Sequence, residues 1–317
     1  MKHVFFIDPL EKLNTRKDSS LLMALTFKNA GKEVYFLFEN DFYILNHGLP
    51  TLEVYEFDGK FHEGGAYLSS MSLKGKVTTK LEPKDVIHMR LDPPFNGRYL
   101  KNLWLLDFLH HQGVRIVNNP KGIMYHNEKL FAFKQKDMSV HSYTGQSEEG
   151  FHSFMIKLKD AGFKELVLKP MDGFSGIGVE KLDLNNKYLI EAFNRKVKET
   201  MGPVIAQPFM EEVYKGEVRS IFYAGRELGS ILKTPQQGEF LSNIAQGATF
   251  EKYTLPSNIR AVCEEIAWDL KEYDVPFIAF DILGNNITEI NLTCPGLLVE
   301  VSHAYKTNLA NEIVKSF

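Results

Sequence analysis

Strand and helix signals alternate along the first third of the chain, and this alternation constrains the fold more than any other feature. Four short apolar runs are typical of buried strands: 3–7, 33–38, 85–89 and 115–117. Helical patterns lie between them, one from the N-cap candidates at 18–20 to Gly31 and one over 99–110. Strands that alternate with helices predict a parallel sheet with crossover helices, and therefore an α/β fold.

The rest of the chain has a different organisation. Helical patterns at 127–131 and 151–161 lead to a strand at 165–169, a Gly-rich loop and a further strand at 179–182. The last third is rich in strands and predicts α+β structure. Its strands are expected at 204–209, 217–224, 228–233 and 277–283, with one helix over 258–272.

Size and composition narrow the class of protein. The chain has 317 residues, which is enough for about two domains. Its net charge of −3 argues against a dedicated nucleic-acid binder. Two cysteines in a chain of this size favour a reducing compartment, and no apolar run approaches the roughly 18 residues of a membrane span. We therefore expect a cytoplasmic enzyme without a membrane segment.

A Gly-rich loop follows the strand that ends at Lys169. The loop contains Gly173, Gly176 and Gly178, whose backbone N–H groups could approach an anion closely. It lacks the Gly-Lys-Ser/Thr of a Walker loop, and a strand rather than a helix follows it, which also argues against a Rossmann loop. We expect a flexible flap over a nucleotide, with a plain hairpin loop as the alternative.

A second signal is the segment 277–291, which is typical of a β-hairpin. If residues 284–286 form its loop, Asp281 lies opposite Glu289, and Asn291 lies on the same face. Two facing carboxylates and an amide oxygen are hard ligands that suit Mg²⁺. A two-residue loop would instead place Asp281 opposite Ile290, and a solvated edge hairpin is the structural alternative.

Two further cations, Lys129 and Arg219, are candidates for a functional role. Lys129 begins a helical stretch, where a lysine is usually a surface residue. Arg219 lies near the start of a strand, where its planar guanidinium could stabilise a phosphoryl group in transfer. A surface salt bridge is the alternative for Arg219.

Together these motifs resemble the ATP-grasp superfamily and, within it, the prokaryotic glutathione synthetase family. The resemblance runs nearly end to end. The motifs that carry it are Asp8-Pro9, Lys17-Asp18-Ser19-Ser20, Met89-Arg90 with Asp92-Pro93-Pro94-Phe95, Asn127-Glu128-Lys129-Leu130-Phe131, Leu168-Lys169-Pro170 with Asp172-Gly173, Pro235-Gln236, Asp281-Ile282 and Thr288-Glu289-Ile290-Asn291.

The resemblance implies an ATP-grasp fold behind an N-terminal parallel-sheet α/β domain. The expected domains are 1–120 (N-terminal), 121–203 (a small lid domain) and 204–317 (the C-terminal part with the metal site). It also implies site residues. ATP would contact Lys129, Lys169, Gly173, Ser175, Gly176, Gly178, Gln207, Phe209, Met210 and Glu217. Mg²⁺, or Mn²⁺, would bind Asp281, Glu289 and Asn291. The peptide substrate would contact Lys17, Asp18, Ser19, Arg90, Asp92, Arg219 and Lys233.

The implied activity is ATP-dependent ligation of γ-glutamylcysteine to glycine through an acyl phosphate. Lys169 and Arg219 would be the catalytic cations, and residues 233–249 the candidate lid over the intermediate. The implied partners are small molecules only, and family members are often homo-oligomers.

Several positions depart from the family pattern. Leu241 and Val299 occupy positions where the family carries arginine, Leu91 one where lysine is common, and Gln237 and Ala248 replace glycines. These departures leave open an ATP-grasp ligase for a different carboxylate and amine. A nucleotide-binding regulatory module without turnover is a further alternative, although such a module has little need for a full metal site.

Overall fold

The computed structural model describes residues 1–62, 66–174 and 176–317, and these residues form three β-sheets with helices between and around them. The first sheet contains β1 (Lys2–Ile7), β2 (Glu33–Phe38), β3 (Thr51–Phe61), β4 (Leu68–Lys80), β5 (Val86–Arg90) and β6 (Arg115–Val117) in the order β4-β3-β2-β1-β5-β6. Strands β2, β1, β5 and β6 are parallel, as the sequence predicts.

Two helices connect the parallel strands of the first sheet. Helix α1 (Ser19–Asn29) begins after Asp18, whose side chain accepts a hydrogen bond from the Leu21 N–H. Helix α2 (Gly97–His111) begins after Asn96, which caps it in the same way. The antiparallel β3–β4 hairpin at the sheet edge was not predicted, although Leu52, Val54 and Phe57 on β3 are buried.

The second sheet is small and antiparallel. It contains β7 (Tyr143–Gly145), β8 (Glu165–Pro170), β9 (Glu180–Asp183) and β10 (Val204–Pro208) in the order β7-β10-β8-β9. Helices α5 (Glu148–Asp160) and α6 (Leu189–Glu199) cover it, and the rings of Phe151 and Phe193 stack between them at 4.2 Å. This unit therefore has a hydrophobic core of its own.

The third sheet is also antiparallel. It contains β11 (Glu217–Tyr223), β12 (Arg226–Thr234), β13 (Thr249–Tyr253), β14 (Phe277–Leu283) and β15 (Asn286–Asn291) in the order β13-β12-β11-β14-β15. Helices α7 (Ser257–Glu272) and α8 (Leu298–Ala304) pack on it, and α9 (Ala310–Val314) packs against α1. Short helices α3 (Pro120–Tyr125) and α4 (Glu128–Ala132) precede the second sheet. Two core clusters join the first and third sheets.

No helix within the described ranges is both long enough and apolar enough to cross a membrane.

Candidate active site

A cavity of about 660 Å³ lies between the second and third sheets and reaches the first. Most of the predicted site residues line it. They are Lys17, Asp92, Lys129, Lys169, Gly173, Gly176, Gln207, Phe209, Met210, Glu217, Arg219, Lys233, Asp281, Glu289 and Asn291. Residues far apart in sequence therefore meet in one place, as a shared site requires.

Four predicted residues lie outside this lining. Asp18 caps α1, Ser19 Oγ accepts a hydrogen bond from the Leu298 N–H, and Gly178 lies at the end of the Gly-rich loop. Arg90 is buried and donates to the Ser20 hydroxyl and the Pro295 carbonyl. A fifth, Ser175, lies outside the described residues.

One face of the third sheet carries a charge network on adjacent strands. Arg219 on β11 and Asp281 on β14 are direct cross-strand partners, and the guanidinium donates to both carboxylate oxygens at 2.8 and 2.7 Å. Lys233 on β12 reaches Glu217 at 2.6 Å and Asp281 at 3.3 Å. Each cation on this face thus has a carboxylate partner.

These contacts set the ionisation of the buried groups. Burial by itself would raise the pKa of Asp281, but Arg219 and Lys233 outweigh burial and hold that pKa well below its usual range. Asp281 and Glu217 also raise the pKa of Lys233 against the effect of its burial. Asp281 and Lys233 are therefore charged at neutral pH, whereas burial raises the pKa of Glu217.

The hairpin that carries Asp281 has the predicted pairing of Asp281 with Glu289, but its loop differs from the prediction. Leu283 pairs with Asn286, so the loop is the two residues Gly284 and Asn285 rather than the three expected. The register then shifts by one between Ile282 and Asp281, which brings Asp281 opposite Glu289. A β-bulge thus restores the facing carboxylates that the sequence predicts.

Lys129 links this face to the Gly-rich loop. Its Nζ donates to Glu289 at 2.9 Å and to the Gly173 carbonyl at 2.7 Å, and its side chain is buried. The neighbouring Glu128 accepts hydrogen bonds from the Leu292 and Thr293 N–H groups and so fixes α4 against the end of β15. Glu128 has no predicted role, and this contact shows that it positions the helix that carries Lys129.

Lys169 on β8 faces the same cavity from the second sheet. Its side chain has no hydrogen bond or ion pair with a described residue, and burial lowers its pKa to about 8. Strand alternation explains its direction. Leu166 and Leu168 point into the core of the second sheet, whereas Val167 and Lys169 line the cavity. The same period could have identified Val167 as a site residue.

The Gly-rich loop lies against the candidate lid. Gly176 has φ +74°, a left-handed conformation, and a Cβ at this position would lie 3.2 Å from the Leu241 side chain. Leu241 belongs to the 233–249 segment, and Phe240, Ser242 and Ile244 of that segment also line the cavity. The two loops therefore close one side of the cavity together.

Apolar side chains also line the cavity. Val140, Val167, Ile177, Phe209 and Leu283 line it. Gln207 donates to the Ser142 hydroxyl at 2.7 Å, which fixes its amide. An apolar slot with few polar groups suits a flat heteroaromatic ring.

The oxygen-bearing side chains Asp281, Glu289 and Asn291 all line the cavity, and Asn291 donates to Asp281 at 3.0 Å. Two carboxylates and an amide are the donor set that Mg²⁺ prefers. No group of three or more His, Cys, Asp or Glu in the described ranges could hold a metal by itself. A bound ion would therefore also need the Asn291 amide oxygen and oxygens of the substrate.

Comparison with known proteins decides the family. The family model for the prokaryotic glutathione synthetase N-terminal domain matches residues 1–124, and that for the ATP-grasp domain of the same enzyme matches residues 128–306. The chain belongs to the prokaryotic glutathione synthetase family. The predicted resemblance is thereby confirmed, as are the enzyme class, an ATP-grasp ligase, and the activity, ATP-dependent glutathione synthesis.

Similar sequences cover nearly the whole chain. The glutathione synthetase of Nitrosomonas europaea is 30% identical over 99% of this chain and 96% of its own length. The glutathione synthetase of Vibrio parahaemolyticus is 26% identical over 97% and 95%, respectively.

Similar solved structures confirm the ATP-grasp fold. D-cycloserine synthetase DcsG has a TM-score of 0.66 at 12% identity and covers 100% of this chain and 99% of its own. The ATP-grasp ligase PsnB, in a complex with a minimal precursor, Mg and ADP, has a TM-score of 0.58 at 13% identity and covers 99% and 96%.

The departures from the prokaryotic glutathione synthetase pattern lie in different surroundings. Val299 is fully buried in the core shared by the first and third sheets and does not line the cavity. Leu91 is likewise buried. Leu241 does line the cavity, against the Gly-rich loop. Of these three departures, only Leu241 therefore changes the lining of the cavity.

Proposed function

We propose that this chain joins the cysteinyl carboxylate of γ-glutamylcysteine to the amine of glycine, with ATP as the source of the phosphoryl group. The observation that carries the proposal is the convergence of Lys129 and Lys169 with the facing carboxylates Asp281 and Glu289 in one cavity. Phosphoryl transfer requires cations for the phosphates and oxygen ligands for a metal around one cavity.

In the proposed complex the adenine ring fills the apolar slot beside Phe209 and Met210, where backbone groups near Gln207 contact its edge. The Glu217 carboxylate accepts hydrogen bonds from the ribose hydroxyls. Lys129, Lys169 and the loop from Gly173 to Gly178 hold the phosphates, because ammonium groups and backbone N–H groups complement their charge.

Asp281, Glu289 and Asn291 would hold Mg²⁺, or Mn²⁺, which neutralises charge on the phosphate oxygens when it is bound. The cations that now contact the two carboxylates, Arg219 and Lys129, would then turn toward the substrate. Their present ion pairs keep both side chains inside the cavity and near the place where charge develops.

The first step forms a bond between an oxygen of the cysteinyl carboxylate and the γ-phosphorus of ATP. The bond from that phosphorus to ADP breaks, and an acyl phosphate results. Lys169 offsets the charge on the transferring group, and Lys17, Asp92 and Lys233 would hold the peptide in place.

In the second step the neutral amine of glycine attacks the acyl carbonyl carbon. Arg219 stabilises the oxyanion, the carbon–oxygen bond to phosphate breaks, and the amine loses a proton. Water would hydrolyse the acyl phosphate, so residues 233–249 would act as a lid during this step.

The domain boundaries 1–120, 121–203 and 204–317 belong to the same proposal, with the middle part moving over the nucleotide. A homo-oligomer stays a prediction from the resemblance. One alternative function keeps the nucleotide chemistry but uses another carboxylate and amine. The burial of Val299 favours this alternative, because a buried valine supplies no cation for a substrate carboxylate.

A coupled ADP-release assay tests the proposed function. The enzyme is given Mg²⁺-ATP with γ-glutamylcysteine, glycine or both, and the products are analysed by mass. We expect ADP only when both are present, together with the tripeptide. Turnover with other amino acids or dipeptides, but none with this pair, would favour the alternative ligase.

A further inference from the structure

The substrate end of the cavity contains a buried carboxylate that the proposed mechanism does not use. Glu300, on α8, lines the cavity and is only 2% exposed. Its Oε2 atom has no hydrogen-bond partner among the described residues. A buried carboxylate oxygen without a partner is costly, which indicates that a ligand group completes it.

The charges around Glu300 limit what that ligand group can be. Burial raises the pKa of Glu300, Lys17 and Arg219 lower it in part, and Asp18 raises it further. Lys17 also lines the cavity, yet it forms no ion pair with Glu300 in the part of the chain that the structure describes. A cation and an anion therefore lie near each other at one end of the cavity, without being joined.

This arrangement matches the two charges of an amino-acid head group. An ionised carboxylate only accepts hydrogen bonds, so its natural partner is an ammonium, and a lysine only donates, so its partner is a carboxylate. Arg219 does not fill the gap in this structure, because its guanidinium donates to both Asp281 oxygens.

We propose that Glu300 binds the α-ammonium of the donor's γ-glutamyl unit while Lys17 binds the adjacent α-carboxylate. This inference rests on the proposed function and deepens it, because it adds Glu300 as a specificity-determining residue for the amino-acid head of the donor. The glycine amine is a poor candidate for this contact. It must be neutral to attack the acyl phosphate, whereas a buried carboxylate favours the protonated amine.

The test compares γ-glutamylcysteine with glutarylcysteine, which lacks only the α-amine. With the wild-type enzyme we expect kcat/KM to be about 10- to 100-fold lower for glutarylcysteine, because hydrogen bonds to charged groups contribute about 1.5–3 kcal/mol. Glu300→Gln keeps the shape of the side chain and should weaken use of γ-glutamylcysteine so that the ratio between the two donors approaches one. Glu265→Gln, an exposed position on α7, should leave the ratio unchanged.

Each outcome has a distinct meaning. Wild-type enzyme that uses neither donor contradicts the proposed function, and the inference falls with it. Equal use of the two donors by the wild type contradicts only the inference. If Glu300→Gln lowers kcat for both donors but preserves the ratio of their kcat/KM values, Glu300 acts in a later step. That result would also contradict the inference. The wild-type comparison stands even if the variant does not fold, which a thermal melt would reveal.

Discussion

Two walls of the same cavity handle charge in opposite ways. On the third sheet, Arg219 and Lys233 are each held by buried carboxylates, so cations and anions compensate one another. On the second sheet, Lys169 projects without a hydrogen bond or ion pair to a described residue, and its pKa is lowered to about 8. Arg219 and Lys169 are both partly buried, yet only Arg219 has a carboxylate partner among the described residues.

The two walls therefore contribute to different properties, one to folding stability and the other to ligand affinity. The paired wall contributes to folding and keeps Asp281 ionised, ready for a metal. The unpaired wall costs folding free energy, because a buried ammonium lacks a partner until an anion binds. Substitutions on the two walls should therefore affect stability and activity differently.

The largest expected effect is on the paired wall. Arg219→Met leaves Asp281 buried without its bidentate partner, and breaking a buried pair in this way costs about 3–5 kcal/mol of unfolding free energy. Urea denaturation would measure the loss. Arg195→Met, which removes an exposed pair on α6, should cost at most about 1 kcal/mol. Similar losses in both variants would contradict the difference between buried and exposed pairs.

On the unpaired wall, Lys169→Met should act on catalysis instead. We expect kcat to fall about 10²- to 10³-fold, since Lys169 is a donor aimed at developing charge. Stability should be unchanged or slightly higher, because no partner is left behind. Lys159→Met, at an exposed lysine on α5 of the same unit, is the control and should keep its activity. A clear loss of stability in Lys169→Met would show that this lysine has a structural partner.

A smaller effect is expected where the two loops meet. Gly176→Ala places a Cβ in a left-handed residue and against Leu241. Strain of about 1–2 kcal/mol would raise KM for ATP about 5- to 30-fold by opposing closure of the flap. Gly202→Ala, whose Cβ would meet no atom within 4 Å, serves as the control in steady-state kinetics. An unchanged KM in Gly176→Ala would mean that the loops separate when ATP binds.

The smallest effect is a pH dependence. Lys169 is protonated below pH 8 and loses its charge as the pH rises through that value. ATP binding favours the charged form, so kcat/KM for ATP in the wild type should fall above pH 8 by up to about tenfold per pH unit. In Lys169→Arg the fall should move to higher pH, because arginine stays charged. A wild-type profile that stays flat to pH 10 would contradict the lowered pKa.

Local sequence patterns predicted part of the fold and part of the site. Alternation of strand and helix signals predicted the parallel strands of the first sheet, and the hairpin sequence predicted the face shared by Asp281 and Glu289. The details of the turn were wrong, because the bulge depends on how β14 pairs with β11 as well as on the hairpin itself.

Other features could not be read from local sequence. Glu128 contacts residues more than 150 positions away, and Glu300 lines the cavity. No local spacing in the sequence predicts either position. The pairing of Arg219 and the isolation of Lys169 are likewise tertiary. The β3–β4 hairpin is different. The alternation of the buried residues Leu52 and Val54 is a local pattern that is typical of a strand.

The most direct test of the central claim follows the oxygen atoms of the donor. γ-Glutamylcysteine labelled with ¹⁸O in its cysteinyl carboxylate is converted with Mg²⁺-ATP and glycine, and the phosphate is analysed by mass spectrometry. An acyl-phosphate ligase transfers one labelled oxygen from each donor carboxylate to inorganic phosphate, and the account predicts this result. Phosphate without label alongside tripeptide, or label in AMP, would contradict it.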